Sequence, residues 1–300
     1  MANVPGFIIM GAMKCATTTL HEQLSAQSGV FMSEPKEPNF FSNDEQFQRG
    51  MDWYKALFAE AQPGALCGEA STHYTTLPTY PDSVSRLQQH APNVKLIYVM
   101  RHPIERLISQ YLHEWSRRTV SGTLSQSLKQ RPELYQYSQY SMQLKPYLET
   151  FGAENILPVF FERVRQFPQE ELARIGEFIG CPQPAVWHSD SGHQHSTNQR
   201  LRESAWRDAI INAPVLSTIR KKFVPQSFRQ RVKRLWQMQN RPQLSSQEQA
   251  ELEVLLEQDL AILGRWLGRT FSCDNFREAA LAPASSWVLE QLPQPLVTAR

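Results

Sequence analysis

The sequence predicts an α/β fold with a central parallel sheet flanked by helices. Three observations predict it: short apolar runs that end abruptly at a turn, an amphipathic segment after each of them, and the recurrence of this pair along the chain. The first run is FIIM, residues 7–10, ended by Gly11 and followed from Thr17 by a segment with Leu20 and Leu24 at helical spacing. The second is KLIYVM, residues 95–100, ended by RHP and continued by IERLISQYLHEW. Pro103 suits the first helical turn, where its missing N–H is not needed. ENILPVFFERV, residues 154–164, gives a third strand, and QEELARIGEFIG, residues 169–180, a helix closed by glycine.

After residue 185 the pattern changes. WHSDSGHQHSTNQRLR is polar and aperiodic, a loop; residues 219–236 are basic and interrupted by Pro225. Residues 245–267 place Leu252, Leu255, Leu256, Leu260, Leu263 and Trp266 on an amphipathic face, introduced by Ser/Glu capping chemistry. The expected organisation is one domain over residues 1–272, with a core at 5–200 and a helical extension at 201–272. Residues 273–300 are read as a tail or linker.

The chain has 300 residues, 41% of them hydrophobic, enough for a full core. A formal net charge of +2 gives no global field for nucleic acid, so any anion site must be a local arrangement. The four cysteines, Cys15, Cys67, Cys181 and Cys273, show no metal-ligand spacing and are expected as reduced thiols. FIIM is too short for a secretion leader or a membrane span, so the expected location is cytoplasmic.

Two turns carry the chemistry. GAMKCATTTL leaves a strand and enters a helix, which sets backbone N–H groups at the positive end of the helix dipole. Gly11 lets the chain turn, Ala12 and Ala16 permit close approach, Lys14 adds a full charge, and Thr17, Thr18 and Thr19 add hydroxyls. In a triphosphate loop the lysine stands directly before the magnesium-binding Ser or Thr, whereas Lys14 sits in mid-turn. The plain alternative is a turn whose lysine is solvated and whose threonines cap the helix. In the second turn Arg101 ends its strand and Ser109 lies on the following helix; a guanidinium fork with a hydroxyl suits a terminal phosphate. Two such turns in one sheet imply a ligand with two phosphate positions.

These residues resemble the sulfotransferases that use 3′-phosphoadenosine 5′-phosphosulfate (PAPS). GAMKCATTTL is similar to that family's 5′-phosphosulfate loop, G-x-x-K followed by small residues and threonines. RHPIERLIS is similar to its 3′-phosphate motif, R-D/N-P-x-x-R-x-x-S. PKEPNFFSND, RGMDWY and GEASTHY resemble stretches of the heparan-sulfate and related bacterial branch. The resemblance spans residues 5–200 and implies a P-loop-like three-layer fold and O-sulfation with PAPS as donor. Lys14, Cys15, Ala16, Thr17, Thr18 and Thr19 are then expected at the 5′-phosphosulfate, and Arg101 and Ser109 at the 3′-phosphate.

As the sulfuryl group leaves, negative charge grows on the bridging and 5′-phosphate oxygens, where Lys14 and the loop N–H groups would stabilise it. A sulfuryl group carries less charge than a terminal phosphoryl group, so no metal is expected. The acceptor hydroxyl needs a base. Glu69 in GEAS is the first candidate by resemblance, its pKa raised by partial burial beside Leu66 and Cys67. His73 is the reserve base, an orienting partner for the acceptor, or an ordinary histidine. His21 reads as helix surface, and Lys36 as either a cleft or a solvated lysine.

The chain departs from the branch in two places. The glycine- and lysine-rich loop that closes over the nucleotide corresponds to HQHSTNQRLR, residues 193–202, where Asn198, Arg200 and Arg202 could take its contacts. The nearby disulfide of secreted relatives has no counterpart, which agrees with a reducing compartment. His188, His193 and His195 lack further ligands at zinc spacing. The basic run 220–234 is by default a solvated face, with an acidic acceptor or membrane phosphates as the other readings. The expected partner is a small-molecule, glycan or carrier-bound hydroxyl acceptor. A P-loop kinase or nucleotidase, or a silent nucleotide-binding domain, stands as the alternative.

Overall fold

The computed structural model describes residues 4–189, 242–283 and 286–293. Five strands, β1 (Phe7–Gly11), β2 (Val30–Met32), β3 (Leu66–Ala70), β4 (Lys95–Met100) and β5 (Ile156–Phe160), lie in the order β2-β3-β1-β4-β5. All neighbouring pairs are parallel, with Ile8 opposite Glu69 on one side and Leu96 on the other. β1 and β4 read as continuous apolar runs because helices cover both faces of such a sheet. Every residue of β1 is buried, and in β4 only Lys95 is partly exposed.

The helices are α1 (Thr17–Ser25), α2 (Asp44–Phe47), α3 (Gly50–Ala56), α4 (Ser83–His90), α5 (Pro103–Ser116), α6 (Leu124–Gln130) and α7 (Glu133–Gln136). They continue with α8 (Tyr140–Phe151), α9 (Phe161–Gln166), α10 (Pro168–Ile179), α11 (Ser246–Trp266) and α12 (Phe276–Leu281). Gly180 ends α10 in the left-handed conformation (φ 73°, ψ 42°), as its position predicts. α11 opens with a reciprocal capping box between Ser245 and Glu248.

Two elements differ from expectation. The third strand is shorter than 154–164: it pairs with β4 only from Ile156 to Phe160, and β4 itself ends at Met100, so the chain turns into α9 where its partner stops. β2 has no sequence signal because three edge residues, two of them partly exposed, are too few to show a period.

Residues beyond 272 are also more than a tail. Cys273, Phe276 and Ala280 are buried, and Phe276 packs against His102, Tyr140, Phe160 and Phe271. Trp287 Nε1 donates to Ile156 O at 2.7 Å. The apolar residues of this stretch are too sparse for a periodic signal, and only the surface left by α9 and β5 gives them partners.

α11 supplies the start of α8 with an N-cap from a distance. The residue before α8, Gln139, makes no side-chain cap. Instead Asp259 of α11 accepts from Ser141 N (3.0 Å), Ser141 Oγ (2.5 Å) and Met142 N (3.0 Å). The orphan N–H groups of a helix start are thus satisfied by a carboxylate 118 residues away.

Topology decides where a ligand goes. From β1 the chain first fills one side of the sheet with β2 and β3, then crosses to β4 and β5 on the other. The crevice beyond the carboxyl ends of β1 and β4 is therefore the switch point, where ligands of open α/β sheets bind.

Candidate active site

β1 ends where the backbone comes very close to its neighbour. A Cβ on Gly11 would lie 1.9 Å from Thr75 Oγ1, and Thr75 is fixed by donating to Met10 O at 2.8 Å. Beyond it, Ala12 N–H donates to Val99 O (2.8 Å), which ties this loop to the last residues of β4, and Cys15 N–H closes on Ala12 O (3.2 Å). Lys14 (φ 72°) and Ala16 (φ 65°) are left-handed. α1 then starts with no side-chain cap and no acidic residue in its first turn. The Thr17, Thr18 and Thr19 hydroxyls have no hydrogen-bond partner among the described residues, so the capping role of the plain alternative is not taken up. An uncapped helix start entered through left-handed backbone leaves its N–H groups for an anion.

Cys15 plays a different part from its neighbours. Its N–H is used inside the turn and its side chain is buried. Burial pushes the thiol up to about 12 despite the nearby charges of Arg106 and Arg101. Cys15 shapes the loop and supplies neither donor nor nucleophile.

The second turn lies beside the first. Arg101 N–H donates to the Tyr140 hydroxyl (3.2 Å), which itself donates to Arg101 O (2.5 Å). The guanidinium sits 4.5 Å over the Phe161 ring and donates to Glu105 Oε2 through Nε (3.3 Å) and Nη2 (3.0 Å). Ser109 is 5% exposed, and its hydroxyl has no partner among the described residues. The second arginine of the motif, Arg106, is fully buried and points away into structure, donating to Ser138 Oγ (2.5 Å), Leu134 O (2.6 Å) and Gln110 Oε1 (2.8 Å).

Glu69, the penultimate residue of β3, has 0% exposure. Neither carboxyl oxygen has a hydrogen-bond partner of good geometry among the described residues. Burial pushes its carboxyl up to about 8, opposed by the nearby hydroxyls of Tyr74 and Tyr54. The expected direction is correct; burial is complete rather than partial, and the side chains beside the carboxyl include Tyr54 and Tyr74. Tyr54 stacks on Phe40 (centroids 4.6 Å) and meets Phe41 edge-on (5.0 Å), and Phe41 packs on Tyr74.

Segment 33–41 completes this side. Ser33 N–H donates to Gly68 O, Glu37 N–H to Ala70 O and Asn39 N–H to Ser71 Oγ, which fastens the segment to the end of β3. Glu37 (φ 61°) and Asn39 (φ 52°) are left-handed; with Lys14 and Ala16 they make four of the five described non-glycine residues at positive φ. Strain of this kind concentrates at functional sites.

His21 is not plain helix surface. It is half-buried, its Nε2 is buried without a partner among the described residues, and burial and then Lys36 lower its pKa. Sequence spacing on α1 alone could not show that the 33–37 loop folds over it. His73 lies 4.9 Å from Tyr80 in a stacked arrangement, its Nδ1 is buried without a partner among the described residues, and burial lowers its pKa. Lys36 is paired with Glu37 at 2.6 Å rather than solvated.

Asn198, Arg200, Arg202, His193, His195 and the basic run 220–234 lie outside the described residues. Among the described residues, no group of three His, Cys, Asp or Glu is placed to hold a metal, and no helix is long and apolar enough to cross a membrane.

A parallel sheet with an anion-ready loop after its central strand and an arginine turn after the adjacent strand defines a class of α/β proteins that bind phosphorylated ligands at the switch point. Within it, the chain belongs to the sulfotransferase domain family, whose model matches residues 5–206. This membership sets aside the kinase and nucleotidase alternative. The chain is 29% identical over 186 residues to heparan sulfate glucosamine 3-O-sulfotransferase 3B1 of Mus musculus, covering 59% of this chain and 46% of that protein. It is 30% identical to the Homo sapiens protein of the same name, with the same coverage of 59% and 46%. The chain thus spans about half the length of these curated relatives. A sulfotransferase crystal structure from Alicyclobacillus acidocaldarius shares the fold, with TM-score 0.63 and 23% identity over 90% of this chain and 98% of that one.

Proposed function

We propose that this chain moves the sulfuryl group of PAPS to a glycan hydroxyl by in-line transfer. The observation that carries this reading is the Ala12–Val99 hydrogen bond, which sets the two anion-ready turns side by side at the switch point. Lys14 and the N–H groups of Ala16 to Thr19 hold the 5′-phosphosulfate and stabilise charge on the leaving phosphate. Arg101 and Ser109 take the 3′-phosphate. The names of the curated relatives support a glycan acceptor.

Glu69 is the base. Its unpartnered oxygens await a donor, and a carboxyl raised to about 8 is strong enough to take a proton from the attacking hydroxyl. His73 is the second reading, favoured by a different observation: its Nδ1 has no partner among the described residues, and burial lowers its pKa and keeps the ring neutral at pH 7, able to accept a proton.

Calorimetric titration with 3′-phosphoadenosine 5′-phosphate (PAP), followed by transfer from labelled PAPS to a panel of sulfated and unsulfated glycans, phenols, lipids and carrier-bound alcohols, tests the reading. PAP binding and label on a glycan are expected. Absence of PAP binding overturns the donor assignment, and label on another acceptor alone overturns the glycan.

A further inference from the structure

We propose that Arg277, on α12, is a second ligand of the 3′-phosphate and the group that leaves that end of the site positively charged. The proposal rests on the PAPS reading and deepens it. Arg277 lies far outside either anion motif, yet its Nη2 donates to Glu105 Oε1 at 2.5 Å while Arg101 holds Oε2 of the same carboxyl. The two guanidiniums therefore sit on opposite oxygens of one carboxylate.

Glu105 stays ionised there. Burial alone would raise its pKa, but hydrogen bonds and charge from Arg277 and Arg101 overcome this and hold it down to about 2. Arg101 and Glu105 by themselves form a neutral pair, a poor receptor for a phosphate dianion. Arg277 adds one positive charge to the pair. Among the described residues around the pair, burial lowers the pKa of His102 and keeps it neutral, Glu162, which accepts from His102 N–H, can only add negative charge, and the other cation, Arg165, lies 5.7 Å over the Phe161 ring and is not bonded to Glu105.

The position of Arg277 is built rather than accidental. Its neighbour Phe276 is fully buried, and His102 of the arginine turn contacts Cys273 O through Nε2 at 2.8 Å. The C-terminal segment is thus docked onto the turn itself. The Arg277 side chain remains 63% exposed, with donors left for a ligand. Arg101 likewise keeps Nη1 without a partner among the described residues.

The test compares PAP with adenosine 5′-phosphate, which lacks the 3′-phosphate, in calorimetric titrations of the full chain. Arg277→Ala should weaken PAP about tenfold or more and leave adenosine 5′-phosphate unchanged, Arg277→Lys should recover part of the loss, and raised salt should shrink the difference. Glu105→Gln added to Arg277→Ala should restore PAP affinity, because it frees the charge of Arg101. Unchanged PAP affinity in Arg277→Ala overturns the proposal. So does equal weakening of both nucleotides, which would mark Arg277 as a docking residue only. A wild-type chain that binds neither nucleotide overturns the PAPS reading and this proposal with it.

Discussion

The donor and acceptor sides proposed for this chain are made of opposite materials. The donor side is backbone and fixed cations: an uncapped helix start, left-handed residues at Lys14 and Ala16, and the Arg101 guanidinium. The proposed acceptor side is one buried carboxyl, Glu69, flanked by the hydroxyls of Tyr54 and Tyr74. Spread charge is best held by several dipoles already in place. A carboxylate becomes a strong base by the reverse device, removal of the water that would stabilise its charge. The difference teaches that binding and proton transfer here should separate under mutation.

Glu69→Gln probes that separation most severely. It should cut the transfer rate by roughly 10²–10⁴-fold while PAP affinity stays near wild type. Normal turnover in this variant would move the base to His73. Lys14→Ala, on the other side, should lower kcat by roughly 10²–10³-fold, since it removes a donor at the leaving group. Arg101→Ala should act on binding, weakening PAP by about 10–100-fold in titrations. If Lys14→Ala and Arg101→Ala both left PAP affinity and rate intact, the donor side would lie elsewhere.

Stability gives a finer contrast. The Glu69 carboxyl titrates near 4.5 when unfolded and near 8 when folded, so between those values the folded chain holds the extra proton and stability falls as pH rises. By pH 7 the cost is roughly 3 kcal/mol, which Glu69→Gln should recover as a higher denaturation midpoint. Asp259→Ala should do the reverse, losing roughly 3 kcal/mol by leaving the buried start of α8 without its acceptor.

The pH profile is the smallest effect and separates the two bases. With Glu69 as base, the ionised form is active and the rate should climb through about pH 8. With His73, whose pKa burial lowers below 6.5, the rise should finish on the acid side and be flat near 8.

Local sequence made the donor side readable because its parts are contiguous. Gly11, Lys14 and the three threonines form one turn, and Arg101 and Ser109 stand on one strand–helix corner. The surroundings of Glu69 were less legible, since Tyr54 and Tyr74 reach it from different elements. His21 went unrecognised for the same reason: the covering loop, not its own helix, decides its exposure. Cys15 shows the converse, for a motif position identifies a loop residue without saying that its N–H turns inward.

By itself the sequence determined the alternating strands and helices, the two turns and the glutamate near the end of β3, all of them written in short-range spacing and apolar period. Tertiary structure alone decided the β2-β3-β1-β4-β5 order that brings the turns together, the burial of Glu69 beside Tyr54 and Tyr74, the Asp259 cap and the meeting of Arg277 with Glu105. Those contacts join residues as much as 172 positions apart. Local propensity carries no record of them, because they follow from how the packed layers meet.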